Sequence, residues 1–323
     1  MQHIIGVDIG GTKCAVILGI LNGKGLNIID KIKFPTVVLK GPESTLSNIE
    51  NSMNNIIARN KLTISNIKSI GISCGGPLDS KRGIIMSPPN LPGWDNIHIV
   101  ERFGGTFKVP VKIQNDANAC ALAEWKFGAA KGFNNVVFLT FGTGMGAGLI
   151  LDGRLYRGTC DMAGEVGHIR LAESGPVGFG KAGSFEGFCS GGGIAQLART
   201  MVMEKLQMGE KVSFCDNFDK LNSLDAKIVG DAAEAGDMLA MEIYLVCGKY
   251  LGKGLSLLID ILNPQIIVIG SIFARSTGLL WPEAEKIIKR ESLVFSRKVC
   301  KVVSAGLGDS IGDYAAISVA VYE

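Results

Sequence analysis

Two stretches of this chain, "IIGVDIGGTKCAVIL" (residues 4–18) and "VVFLTFGTGMGAGLIL" (residues 136–151), each read as strand, glycine turn, strand. A continuous apolar run of four to eight residues suits a strand buried on both faces. Ile4, Ile5, Val7 and Ile9 form such a run, as do Val136 to Leu139. Two unrelated glycine hairpins would be the ordinary explanation. A duplicated phosphate-handling unit is the better one, because each turn combines glycines with a threonine, Thr12 and Thr143.

A phosphate needs backbone N–H groups that converge on one point with no side chain in the way, which glycine permits. Gly10, Gly11 and Thr12 offer this in the first turn, and Gly142, Thr143, Gly144 and Gly146 in the second. Asp8 lies beside the first turn. A carboxylate next to a phosphate repels it unless a cation stands between, and Mg²⁺ fits that place. Lys13 either adds charge or is simply exposed. Neither turn is a Walker loop, and the second precedes a strand where a dinucleotide fingerprint would open a helix. Together the pair points to a nucleoside triphosphate.

With 323 residues, two domains are expected. A net charge of +3 gives no reason to expect nucleic acid or an anionic membrane as partner. The eight cysteines form no CxxC pair, which suits buried, reduced thiols in a cytoplasmic protein. The most apolar region, 239–269, is interrupted by Lys249, Lys253, Asp260 and Pro264, so no membrane span is expected. No secretory leader is expected at the N-terminus.

Further strands are expected over 26–34, 111–113, 264–271 and 299–304, and a short one in "IKSIGISCGG" (67–76), running into its glycines. Helices are expected over 46–57, 116–127 and 311–322, with one or two over 231–262. Asp152 and Gly153 suit a two-residue hairpin turn, and "SPPNLPGW" (87–94) an irregular loop.

Asp116 falls at an expected helix start, where it reads either as an ordinary N-cap or as a proton acceptor kept ionised by the helix N-terminus. Asn115 can both donate to and accept from a polyol. Glu165, His168 and Glu186 suit the reading of sugar hydroxyls, or else are solvated surface and a structural imidazole.

Six segments occur in the order of one family: "DIGGTK" (8–13), "SPPNLPGW" (87–94), "NDANACALAE" (115–124), "FGTGMGAG" (141–148), "GEVGH" (164–168) and "NPQIIVIG" (263–270). The chain resembles the ROK family of sugar kinases and repressors over nearly its whole length. The resemblance implies an α/β fold of the actin-like ATPase (ribonuclease H-like) type, two domains with a central interdomain cleft for ATP and sugar. It places a small domain at 1–115 plus 305–323 and a large one at 116–304. It implies a cytoplasmic, ATP- and Mg²⁺-dependent hexose kinase, glucokinase-like, often a homodimer. An N-acetylmannosamine kinase is the alternative substrate class.

The resemblance makes Asp116 the catalytic base and Asn115, Glu165, His168 and Glu186 sugar contacts, with Gly76 and Asn90 as further candidates. It gives Asp8 to Lys13 and Gly142 to Gly148 the phosphates, and Gly270 the nucleoside. Many members carry a structural zinc on the GH histidine and three cysteines. Here those cysteine positions align with Val177, Phe179 and Ser184, leaving His168 alone, so no zinc is expected. Val177 and Phe179 are expected to fill the space. Two other readings are a sugar-responsive regulator, for which the resemblance expects a helix-turn-helix segment before "DIGGTK" and a net charge of +3 gives no support, and a non-catalytic sugar-binding relic.

Overall fold

Ile4, Ile5, Val7 and Ile9 are all buried, as a strand covered on both faces requires. The structure is a computed structural model describing residues 2–23 and 25–322. The chain forms two compact units, one of residues 1–133, 148–163 and 306–323, the other of residues 134–147 and 164–305.

In the first unit, strands Gln2–Ile9, Lys13–Asn22 and Gly25–Pro35 form an antiparallel meander. Ile67–Cys74 then joins parallel to the first strand, and Val111–Asn115 parallel to Ile67–Cys74. Helix Gly41–Arg59 packs Leu46, Ile49, Met53, Ile56 and Ile57 into the core on one face of this sheet. The last helix, Ile311–Val321, covers the other with Ala316, Ile317 and Ala320 against Ile4, Ala15 and Ile17. Burying a side chain the size of Ile317 contributes roughly 1.5–3 kcal/mol. That helix lies close because Gly71 has no side chain: a Cβ there would stand 2.2 Å from the Ala316 carbonyl oxygen.

The parallel register brings the ends of three strands level. Asp8 pairs with Ser73 and Ile9 with Cys74, while Ser73 pairs with Gln114 and Cys74 with Asn115. The turns that follow, Gly10–Thr12, Gly75–Gly76 and Asp116 onward, therefore leave the sheet at one edge, where open α/β sheets bind ligands.

Helix Asp116–Phe127 belongs to the first unit, beyond the expected boundary at 115/116. Its buried Glu124 explains why: the carboxylate accepts N–H bonds from Ala129 (2.7 Å), Gly306 (3.1 Å) and Leu307 (2.9 Å). The chain entering the last helix is thereby tied to it. Hairpin Ala147–Leu151/Arg154–Tyr156 turns at Asp152 (φ 50°) and Gly153 (φ 72°), both left-handed as a tight hairpin turn needs.

In the second unit, Val136–Leu139, Ile266–Ile269 and Lys301–Ser304 run parallel with Ile266–Ile269 in the middle. The expected helical region resolves into Ala226–Glu234 and Met238–Leu262, parted at Gly236 (φ 90°). Asp237 caps the second by accepting from Ala240 N at 3.0 Å. Helices Ile99–Phe107, Gly191–Gln207 and Thr277–Glu291 were not expected. The second opens on three glycines and the third contains Pro282, so local propensity hides both. All eight cysteines are free; Cys160 is exposed and Cys120 and Cys300 half-buried, against the expectation that they are buried. No helix among the described residues is long and apolar enough to cross a membrane.

Candidate functional site

In the first glycine turn, Gly10 N donates to Lys13 O at 3.1 Å, and the Thr36 hydroxyl donates to Gly10 O at 2.6 Å. The N–H groups of Gly11 and Thr12 donate to no acceptor among the described residues. Only glycine fits at Gly11, where a Cβ would meet the Asn90 carbonyl oxygen at 2.4 Å. The Asn90 side chain stands 3.3 Å from an ideal Cβ at Gly75, and the Asn115 amide nitrogen 3.0 Å from one at Gly76. Packing thus gathers Gly11, Gly76, Asn90 and Asn115 into one corner, from segments far apart in sequence.

Asp116 is not the N-cap. Asn115 takes that position, its side-chain oxygen accepting from Ala117 N at 2.9 Å. Asp116 Oδ1 also accepts from Ala117 N at 2.8 Å, and its side chain remains exposed. Although its tip reaches solvent, the protein around it desolvates the carboxyl and raises its pKa, against the pull of the backbone N–H groups. The backbone N–H groups at the helix start act in the expected direction, and desolvation is the larger effect.

Asp8, half-buried, is pushed up to about 6 by burial first, then by the charges of Asp116 and Asp313, with Lys31 and Lys13 opposing. Lys31 is already paired with Asp313, and Lys13 is exposed, so neither fully offsets it. A carboxylate whose ionisation is opposed by burial and by a second carboxylate suits a divalent cation, which offsets that repulsion.

In the second glycine turn, Thr140 N donates to Gly146 O at 2.9 Å, Gly146 N to Thr140 Oγ1 at 2.8 Å, and Gly142 N to Gly144 O at 3.1 Å. Glu186 Oε2 accepts from Met145 N at 2.9 Å, and a Cβ at Gly144 would approach that oxygen to 2.7 Å. Glu186, half-buried, therefore holds the turn. Thr143 and Gly144 are left with N–H groups that have no acceptor among the described residues, as in the first turn.

Segment 164–168 lies along the same turn: a Cβ at Gly164 would meet Ala147 O at 2.1 Å, and one at Gly167 would meet Met145 O at 2.2 Å. A Cβ at Gly167 would also stand 3.2 Å from the Glu186 Cβ, so Glu165 and His168, both exposed, flank the residue that faces Glu186.

Val177 and Phe179 do not fill the space expected of them; they are 45% and 77% exposed. Phe179 turns its ring edge toward His168, centroids 6.4 Å apart. The residue that is buried is Ser184, which caps Phe185–Phe188 by accepting from Gly187 N at 3.1 Å. The loop is fastened by polar contacts: Gln196 exchanges two hydrogen bonds with the Val177 backbone (2.9 and 2.8 Å), and Lys181 Nζ donates to His168 O at 2.8 Å.

A cavity of about 730 Å³ opens against the second turn, lined among others by Gly142, Thr143, Gly191, Gly192, Ser271 and Arg275. That size suits a nucleoside. It is closed on one side by the start of helix Gly191–Gln207, capped by Ser190, whose hydroxyl accepts from Gly193 N at 3.0 Å. Sequence reasoning missed this wall; the serine before three glycines was the available signal. Gly270 is not part of the lining: its N–H bonds Leu139 O at 3.0 Å, and the chain reaches the cavity one residue later. A second cavity, about 780 Å³ near Lys205 and Met238, holds none of the glycine-turn residues.

The ROK family model matches residues 4–321. The chain is 33% identical over 268 residues to a glucokinase of Halalkalibacterium halodurans, covering 82% of this chain and 79% of that protein. A ROK family glucokinase from Streptomyces griseus, solved in complex with glucose and AMPPNP, superposes with a TM-score of 0.78 at 27% identity and covers 99% of both chains. A ROK family transcriptional regulator gives a TM-score of 0.82 at 26% identity, covering 98% of this chain and 78% of that one. The fold is the actin-like ATPase fold that the resemblance implied.

Proposed function

The chain belongs to the ROK family, and on that premise we propose that it is an ATP- and Mg²⁺-dependent sugar kinase, glucokinase-like, that phosphorylates a hexose hydroxyl. The observation that carries the reading is Asp116: Asn115 has taken over the cap, leaving an exposed carboxylate whose charge acts on Asp8, at the sheet edge from which the Gly10–Thr12 turn also leaves.

Asp116 accepts the proton of the attacking hydroxyl. Burial raises its pKa above that of a free aspartate, which makes its carboxylate a stronger proton acceptor. Asn90 and Asn115 of the first unit, and Glu165, His168 and Glu186 of the second, each offer hydrogen bonds of the kind that orient sugar hydroxyls. The Gly11 and Thr12 N–H groups of the first unit, and the Thr143 and Gly144 N–H groups of the second, are each able to stabilise phosphate charge without having to reorganise. Mg²⁺, when held at Asp8, supplies further neutralisation of the phosphates. The 730 Å³ cavity takes the nucleoside.

A coupled ADP-release assay over glucose, mannose, fructose, N-acetylmannosamine and N-acetylglucosamine tests this. Turnover should appear with at least one sugar, and Asp116→Asn should lower it roughly 10²–10⁴-fold while ATP still binds. Unchanged turnover in that variant removes the base assignment, and silence over the whole panel removes the kinase reading. The regulator's likeness over 98% of this chain favours one second reading, a sugar-responsive transcriptional regulator. Sequence-selective gel shifts at physiological salt would support it.

A further inference from the structure

The cavity beside the second glycine turn is lined by three cations, Arg199, Lys227 and Arg275. Two are committed. Arg199 donates to the carbonyls of Leu221 (3.2 Å), Asn222 (3.5 Å) and Leu224 (3.3 Å), and Lys227 pairs with Asp231. Arg275 is exposed and makes no ion pair among the described residues; its side chain donates only to the Ser271 hydroxyl, at 3.3 Å.

Ser271 is unusual in its own right. Its backbone lies at φ 52°, ψ −111°, a conformation that residues with a Cβ avoid and that concentrates at ligand sites. Its neighbours hold it there: Gly270 N bonds Leu139 O at 3.0 Å, and Ile272 N bonds Phe141 O at 2.8 Å. This clamp brings the Ser271 hydroxyl to the glycine turn, 3.8 Å from an ideal Cβ at Gly142. The uncommitted guanidinium is thus fastened next to the turn whose Thr143 and Gly144 N–H groups lack acceptors.

We propose that Arg275 is a phosphate ligand for the nucleotide donor, and that Ser271 is the positioning residue that sets it. This rests on the kinase reading. A guanidinium is always charged and presents a planar fork that matches phosphate oxygens, so its contribution should depend on the donor's phosphates and not on its nucleoside.

The test is calorimetric titration of the full chain with adenosine, AMP and ADP, beside steady-state kinetics. Arg275→Gln should weaken ADP about 10-fold or more, the worth of one charge-assisted contact, while adenosine changes less than about 2-fold. The KM for ATP should rise in parallel, with kcat and the sugar KM little changed. Ser271→Gly should raise the melting temperature, because strain is relieved, and yet weaken ADP. A purely structural residue would not move those two readouts in opposite directions. Equal loss of adenosine and ADP in Arg275→Gln would overturn the proposal, as would unchanged ADP affinity. Wild-type protein that binds no ADP would instead overturn the kinase reading itself, taking this assignment with it.

Discussion

Asp8 is a carboxylate that the folded chain holds at a cost. Its pKa moves from an ordinary 3.8 to about 6, chiefly through burial and then through Asp116 and Asp313. A group whose proton is held more tightly in the folded state binds more protons folded than unfolded between those two values. Stability therefore falls as pH rises through that window, and the full penalty stands above it. At pH 8 the penalty is about 3 kcal/mol, and at pH 4 about 0.5 kcal/mol. Asp8→Asn removes the charge at nearly constant shape. Without metal or nucleotide, it should be more stable than wild type by up to about 3 kcal/mol at pH 8, with the difference nearly gone at pH 4. Denaturant unfolding at the two pH values measures this. In the same variant, Mg²⁺ added with ATP should no longer raise stability above that with ATP alone, and turnover should collapse. A variant less stable than wild type at pH 8 would refute the reasoning, for it would mean Asp8 is held by favourable contacts and not stored against repulsion.

Two predictions concern the scaffold. Gly71→Ala would drive a Cβ to 2.2 Å from Ala316 O and 2.4 Å from Ala320 N. It should destabilise by about 1–3 kcal/mol or more and speed amide hydrogen exchange over 311–321; unchanged exchange there would show the helix is not seated on that glycine. Glu124→Ala leaves the N–H groups of Ala129, Gly306 and Leu307 without their acceptor and should cost about 2–4 kcal/mol in denaturant unfolding. Glu124→Gln should recover part of that loss, and a neutral Glu124→Ala would discount the anchor.

The order of strands and glycine turns was legible in the sequence because each is a local matter. A run such as Ile4 to Ile9 can satisfy its backbone only beside other strands, and a turn such as Gly10–Thr12 needs residues without bulk. The motif residues were legible as residue types, too. Their company was not. Asn90 comes against Gly11 and Gly75, and Glu186 against Met145 and Gly144, across separations that no periodicity reports. Helix Gly191–Gln207 went unseen because its glycine opening opposes helix formation locally and is held by Ser190 and by the contacts of the folded chain.

What the sequence settled by itself was the set of parts: strands long enough to be buried, two turns open enough for phosphate, and carboxylates near them. What only the tertiary structure decided was their electrostatic and steric meaning. Asp116 is freed from capping because Asn115 took the cap, Asp8 acquired its high pKa through burial and the charges of two other carboxylates, and Arg275 makes no ion pair among the described residues because the fold sets it against Ser271. Identity is written residue by residue, whereas desolvation, Coulomb repulsion and the occupation of hydrogen-bond partners depend on distances that exist only once the chain has packed.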